Sequence, residues 1–333
     1  MATYKEIYGS TIEVVTSDPE NPVTGQVWYN STDNVVKGFA ITTAGSWSTG
    51  GSLNTAKYSS GSAGTQTSGM VAGGRLSGTP GQTATVEQYN GSAWTEVSDL
   101  NTTRNQIGGA GVDNTSVLVY GGDTTETSTG QTAVTESWNG SAWTEVNDLN
   151  TARQGPAGAG TQTAAISLGG ATAPGGQPTG VTELWNGTSW TEVNDLNIGR
   201  RFMGGAGTST AALGMGGNGS SPIDVQQALT ESWNGTSWTE VNDMNITRTQ
   251  MASFGTQTAA IVSSASTATP PTRVNTEEWN GTSWSETTDM SIPGFAGNGI
   301  GSATAGLVGG SSGSANEEWL GPGASVTYTF TDS

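Results

Sequence analysis

Five cations recur at one place in a repeated sequence. Lys57, Arg104, Arg153, Arg200 and Arg248 close the segments LNTAK, LNTTR, LNTAR, LNIGR and MNITR. They are half of the ten basic residues in the chain. Gathered at the mouth of a channel they could bind an anion; alternatively, each could pair with a carboxylate of the repeat. Carboxylates recur at matching intervals as Glu87, Glu136, Glu183, Glu231, Glu277 and Glu317, just before an aromatic residue. Pairing is the stronger reading, because a buried charge needs a partner and a single ligand site seldom requires the same residue in every repeat.

A second periodic set, Asp99, Asp148, Asp195, Asp243 and Asp289, could offer oxygens to Ca²⁺. These acids lack the dense alternating spacing of an EF-hand loop, and Asp and Asn are ordinary turn formers. No metal site is expected. The chain has neither His nor Cys. It therefore lacks the usual general base, the commonest transition-metal ligand and every Ser-His or Cys-His pair, so neither an enzyme nor a cofactor is expected. The formal charge of −18 opposes phosphate binding, which excludes nucleic acid as the expected partner. No run approaches the length of apolar chain needed to cross a bilayer, so no membrane insertion is expected.

The elements that must position these residues come from internal repetition. EQYNGSAW, ESWNGSAW, ELWNGTSW, ESWNGTSW and EEWNGTSW place Trp94, Trp143, Trp190, Trp238 and Trp284 at spacings of 49, 47, 48 and 46 residues. Within one period, GPAGAG, TAAISLGG, TGVTELW and TSWTEV read as four short strands, which is one blade of a β-propeller. The Gly-rich segment suits an innermost strand, and the Trp residues suit the gaps between blades. The Asn-Gly pairs predict two-residue type I′ turns, and this placement explains the Asn-Gly-Ser/Thr triplets without glycosylation.

Strands ending near Gly-Gly recur six times, and the last aromatic strand, with Trp319, has no following SAW or TSW. GSWSTGGSLNTAK, containing Trp47, aligns with SAWTEVNDLNTAR and is expected to complete that blade. The alternative is closure by SVTYTF near the end of the chain. The fold class is thus all-β, a six-bladed kelch-like β-propeller of four-stranded antiparallel blades closed by an N-terminal outer strand. Residues 41–333 form the propeller. Residues 1–40 form an N-terminal arm, either an extra strand or an anchoring segment.

Periodic Trp is more simply core than a sugar-stacking platform. Ligand choice is better sought in GGRLSGTPGQTAT, GGDTTETSTGQTA, GGATAPGGQPTG, GGNGSSPIDVQQA and SSASTATPPTRVN, which vary while their flanks stay alike.

The Gly-Gly, aromatic and Trp progression resembles the kelch repeat. The G-x-x-W spacing is also similar to the sialidase Asp-box, but an aromatic stands at Trp138 and its equivalents in place of the Asp. Kelch-type copper oxidases are not matched, since their site needs His and a Cys-linked Tyr. GQVWYNSTDNVVKGF followed by LNTAK, GTQTAAI and WNGTSW resembles kelch-like virion proteins of tailed bacteriophages, notably marine ones. That resemblance implies a virion structural protein made in the host cytoplasm, in a tail fibre, tail tip or capsid-associated fibre. It implies an arm that contacts other virion proteins, an oligomeric state in the particle, and a host surface receptor or glycan as partner. A purely structural connector and a polysaccharide-active enzyme are the alternatives.

Overall fold

The computed structural model describes residues 12–77, 81–125, 129–172, 176–220, 223–263, 265–266, 272–294, 297–310 and 313–330. The first eleven residues of the arm and parts of the variable loops lie outside the described residues. The chain is all-β, and its sheets are blade-like in the manner of a β-propeller. Six four-stranded antiparallel sheets among the described residues share one order from an inner to an outer strand. Sheet 2 is representative, with Gly108–Asp113, Ser116–Tyr120, Thr135–Trp138 and Trp143–Val146 paired in sequence. Sheets 1, 3, 4 and 5 begin with the inner strands Gly61–Thr65, Ala157–Thr161, Gly204–Gly207 and Ala252–Thr256.

Sheet 6 consists of Asn298–Ser302, Ala305–Gly309 and Asn316–Leu320, and its outer strand is Ser46–Thr49 from the opposite end of the sequence. Trp47 lies directly across from Trp319, and their rings stand 5.1 Å apart. The strand expected to complete the last repeat therefore does so. SVTYTF does not: Ser325–Phe330 pairs with Val35–Ile41, so the last strand of the region assigned to the propeller joins the arm instead.

Burial explains the composition of each strand position. Val117, Leu118, Val119 and Tyr120 on the second strand of sheet 2 are all fully buried, because neighbouring sheets cover both faces. Outer strands bury only their Trp and present Thr and Glu, and these charges guard the exposed edge. Inner strands meet one another so closely that a side chain would collide. A Cβ on Gly205 would lie 2.6 Å from the Gly158 carbonyl oxygen, and one on Gly299 would lie 2.4 Å from that of Ser253. Inner strands adjoin in chain order, and the first also adjoins the sixth.

Tryptophan pairs such as Trp138–Trp143 and Trp185–Trp190, with ring centroids 5.3 and 5.4 Å apart, fill the space between sheets. Stitching runs from sheet to sheet. The indoles of Trp190, Trp238, Trp284 and Trp47 donate to Thr135, Thr182, Thr230 and Thr276 hydroxyls, the first three on the third strand of the preceding sheet and Thr276 immediately before it.

The Asn-Gly hairpins differ from the two-residue turn expected. Trp138 pairs with Trp143, leaving a four-residue loop, and only the glycine, Gly140 at φ 94°, is left-handed. Asn139 instead accepts from the amides of Ser141 and Ala142 through its side-chain oxygen, so Asn is selected for its acceptor and not for positive φ.

Candidate functional site

The segment joining each outer strand to the next inner strand carries the periodic cation. In LNTAR, Leu149 is buried, Asn150 donates from its backbone and side chain to Glu183, and Arg153 donates to the other carboxylate oxygen at 3.1 Å. Equivalent pairs join Arg104 to Glu136, Arg200 to Glu231 and Arg248 to Glu277 at 2.5, 2.8 and 2.6 Å, all essentially inaccessible to solvent. Lys57 sits 3.6 Å from Glu87. Each connection therefore clamps the third strand of the sheet that follows.

Burial pushes the four guanidinium groups below their ordinary pKa, against the pull of the partner carboxylate. It drives Lys57 down to about 8. In sheet 6 Glu317 receives Ser291 and Ile292 amides and the Ser291 hydroxyl. These cations are thus held in the scaffold and do not form an open anion-binding ring. Asp148, Asp195, Asp243 and Asp289 each accept the backbone N–H of a Thr at the start of, or immediately before, a third strand. Among the described residues no group of three acids could hold a metal ion.

Two residues beyond each clamp cation lies a position that the sequence reading did not single out. Ser59, Gln106, Phe202 and Gln250 all have φ between 52° and 55°, and Gly155 has φ 60°. Side chains rarely adopt this region, and its recurrence at one repeat position marks a constraint from the surroundings. The constraint is a collar of backbone hydrogen bonds: Gln106 N–H donates to Ser59, Gly155 to Gln106, Phe202 to Gly155 and Gln250 to Phe202, at 2.7 to 3.0 Å. The left-handed turn aims each N–H and C=O along the collar.

The collar rims a cavity of about 100 Å³ that continues between the inner strands of all six sheets. Its wall is polar and uncharged below the rim, where Gly, Ala and Ser predominate. At the rim the residue types diverge. Phe202 lies against Gly155 and beneath the Arg201 guanidinium at 5.1 Å, while two positions carry glutamine. Gln106, which lines the cavity, has a buried Oε1 without a hydrogen-bond partner; Asn105 Oδ1 and Gln154 Oε1 are likewise unpartnered but belong to residues outside the cavity lining. Acceptors of this kind suit hydroxyl or amide donors, and an aromatic face suits the apolar side of a sugar ring.

The variable loops rise beside this collar. The residue before each collar position pairs with the start of a loop: Tyr58 with Arg75, Asn105 with Asp123, Gln154 with Ala171, Arg201 with Asn218, Thr249 with Ser266. Gln82 donates to the Thr125 carbonyl of the neighbouring loop, so the loops are tied to one another as well. Collar and loops thus occupy one end of the sheets. The repeat position of the collar was visible in the sequence; its conformation was not, because Ser, Gln, Gly and Phe share no side-chain chemistry.

The opposite end consists of the Asn-Gly hairpins and the short turns between first and second strands. In sheet 6 the place of that hairpin is taken by the connections to the arm: Thr42 exchanges backbone hydrogen bonds with Gly323 and Ala324. No protein-family model matches this chain, and no curated protein matches it.

Proposed function

We propose that the chain is a closed six-bladed kelch-like propeller that serves as a structural component of a tailed-phage virion. It contacts other virion proteins through its N-terminal arm and presents the loop-and-collar end to a host surface glycan or receptor. The closed ring is supported by inner strands that adjoin in order from the first to the sixth and back to the first, and by the pairing of Trp47 with Trp319. The observation that carries the functional reading is polarity. Both chain ends leave the repeat array where the uniform hairpins lie, and all the variable loops rise at the other end.

A scaffold that holds the same clamp and Trp pair in successive repeats while its rim residues diverge is organised for recognition on a constant frame. The Phe202 ring and the glutamines Gln106 and Gln250, which line the cavity, suit a polyhydroxylated ligand better than a charged one.

Mass spectrometry of purified particles should detect the chain in stoichiometric amounts, and the isolated protein should block adsorption of those particles to host cells. Absence from particles removes the virion reading. Presence without competition leaves a purely structural decoration and removes the recognition role. Release of reducing ends from host-envelope glycan would instead identify a polysaccharide-active enzyme.

A further inference from the structure

The terminal sheet orders Glu13–Val15, Val27–Asn30, Val35–Ile41 and Ser325–Phe330 side by side. Its register defines two unlike faces, since cross-strand partners point the same way. One face aligns Trp28 with Lys37 and Thr329. It is covered by the chain that follows the first strand: Asp18 accepts from the Trp28 indole, the Asn30 amide and the Lys37 ammonium at 2.8 to 3.0 Å, and Trp28 is fully buried.

The other face aligns Val14, Tyr29, Val36 and Phe330 in one row, Val27, Gly38 and Tyr328 in the next, and Ala40 with Val326 in the third. No position on it bears a charge. Val14, Tyr328 and Phe330 are 68%, 49% and 47% exposed. Four of the eight exposed large hydrophobic residues among those described, Val14, Ile41, Tyr328 and Phe330, belong to this sheet, and all but Ile41 lie on this face. None of its residues enters a core cluster of the six-sheet body. A sheet with one apolar face is stable when another layer buries that face, and the described residues supply no such layer.

We infer that this face is the interface of a homodimer, two terminal sheets packing face to face about a two-fold axis. A second copy fits for reasons of charge and symmetry. Each chain carries a net charge of −18, so most surfaces of two copies repel, whereas this face is uncharged and matches its own image. A partner selected by opposite charge would require charged positions that the face lacks. Tyr29, Tyr328 and Phe330 are residues of the kind that anchor interfaces. Strands of three, four, seven and six residues, at about 3.3 Å per residue and about 4.8 Å apart, present roughly 300 Å² per copy. That is under half of a standard interface, the size of a weak and reversible association. The interface lies at the end away from the loops, so dimerisation leaves both collars free to act together. This inference does not depend on the virion reading, because it concerns the purified chain alone.

Sedimentation velocity on the full chain tests it. The expected result is a reversible dimer at tens of micromolar that strengthens or holds as salt is raised, since salt screens the repulsion and spares apolar contact. Phe330→Lys with Tyr328→Lys should leave a monomer with unchanged thermal unfolding of the Trp-rich body. Because the chain has no cysteine, Val36→Cys gives a second readout that needs no loss of stability: it should form an interchain disulfide on mild oxidation, whereas Thr144→Cys on an outer strand should not. A wild-type chain that stays monomeric to several hundred micromolar overturns the inference. So does a dimer that appears only after residues 1–11 are deleted, which would show the face to be covered by the chain's own start. A dimer that dissolves in salt would overturn it as well.

Discussion

The two ends of the sheets are built by opposite rules. At the hairpin end, successive repeats use the same residues for the same bonds: Asn90, Asn139, Asn186, Asn234 and Asn280 each hold a four-residue loop through a side-chain oxygen. At the loop end, the backbone repeats and the side chains do not. Ser59, Gln106, Gly155, Phe202 and Gln250 share a left-handed conformation and a hydrogen-bonded collar while differing in size, polarity and aromaticity. The first pattern is what stability alone produces. The second is a rigid frame on which chemistry is free to change.

If the ends divide labour in this way, substitutions beneath both should affect stability and adsorption together. The largest effect is expected for Glu183→Ala, which strands the buried Arg153 without its carboxylate. The cost is about 3–5 kcal/mol, read as a fall in the urea midpoint, and adsorption is lost with the fold. Arg153→Met combined with Glu183→Leu should recover part of that stability, since neither charge then remains buried, but not all of it, because the Asn150 and Thr151 donors lose their acceptor.

Next in size is a pH effect confined to the first sheet. Lys57 releases its proton near pH 8 in the folded chain but near 10.5 when unfolded. Between those values the unfolded chain binds more protons, so stability rises with pH across that window and is flat below it. The expected gain from pH 8 to pH 10 is about 2 kcal/mol, and Lys57→Arg should abolish it because arginine stays charged throughout. A wild-type profile as flat as that of the variant would show that Lys57 is better solvated than its burial implies.

Much of the scaffold is legible in the sequence because it is repeated. The Trp spacing gives the blade period, and the match of GSWSTGGSLNTAK to SAWTEVNDLNTAR locates the outer strand of sheet 6. The matched intervals of Arg153 and Glu183 and their equivalents give the clamps. What escapes is unrepeated or conformational. Ser325–Phe330 pairs with Val35–Ile41 across nearly the whole chain, and a single strand pair carries no register signal that a sequence can display. The turn type escaped because Asn-Gly serves two loop geometries, one using the positive φ of Asn and the other its acceptor oxygen. The collar escaped because its common feature is a backbone angle.

A smaller change isolates the hairpin end. Asn139→Ala removes the oxygen that accepts from Ser141 and Ala142, at a cost of about 1 kcal/mol in urea unfolding. Adsorption by the folded protein should be unaffected. An adsorption defect without unfolding would place recognition at the wrong end and break the comparison.

The smallest stability effect is expected where the largest change in recognition should occur. Gln250 holds φ 52°, a conformation costing a side-chain-bearing residue about 1–2 kcal/mol, and the glycine at the matching position of sheet 3 shows that the collar closes without a side chain. In Gln250→Gly the relief of that strain is offset by the greater freedom glycine gains in the unfolded chain, so the unfolding midpoint should move by less than about 1 kcal/mol in either direction. The backbone bond to Phe202 survives, and so does the frame. What disappears is one amide at the rim, and competition for host adsorption should fall at least several-fold. If competition is unchanged while Phe202→Gly also leaves it unchanged, the collar is a structural belt alone and recognition belongs to the loops around it. A loss in either variant without loss of stability would mean that the strain at these positions is retained because their side chains face the ligand.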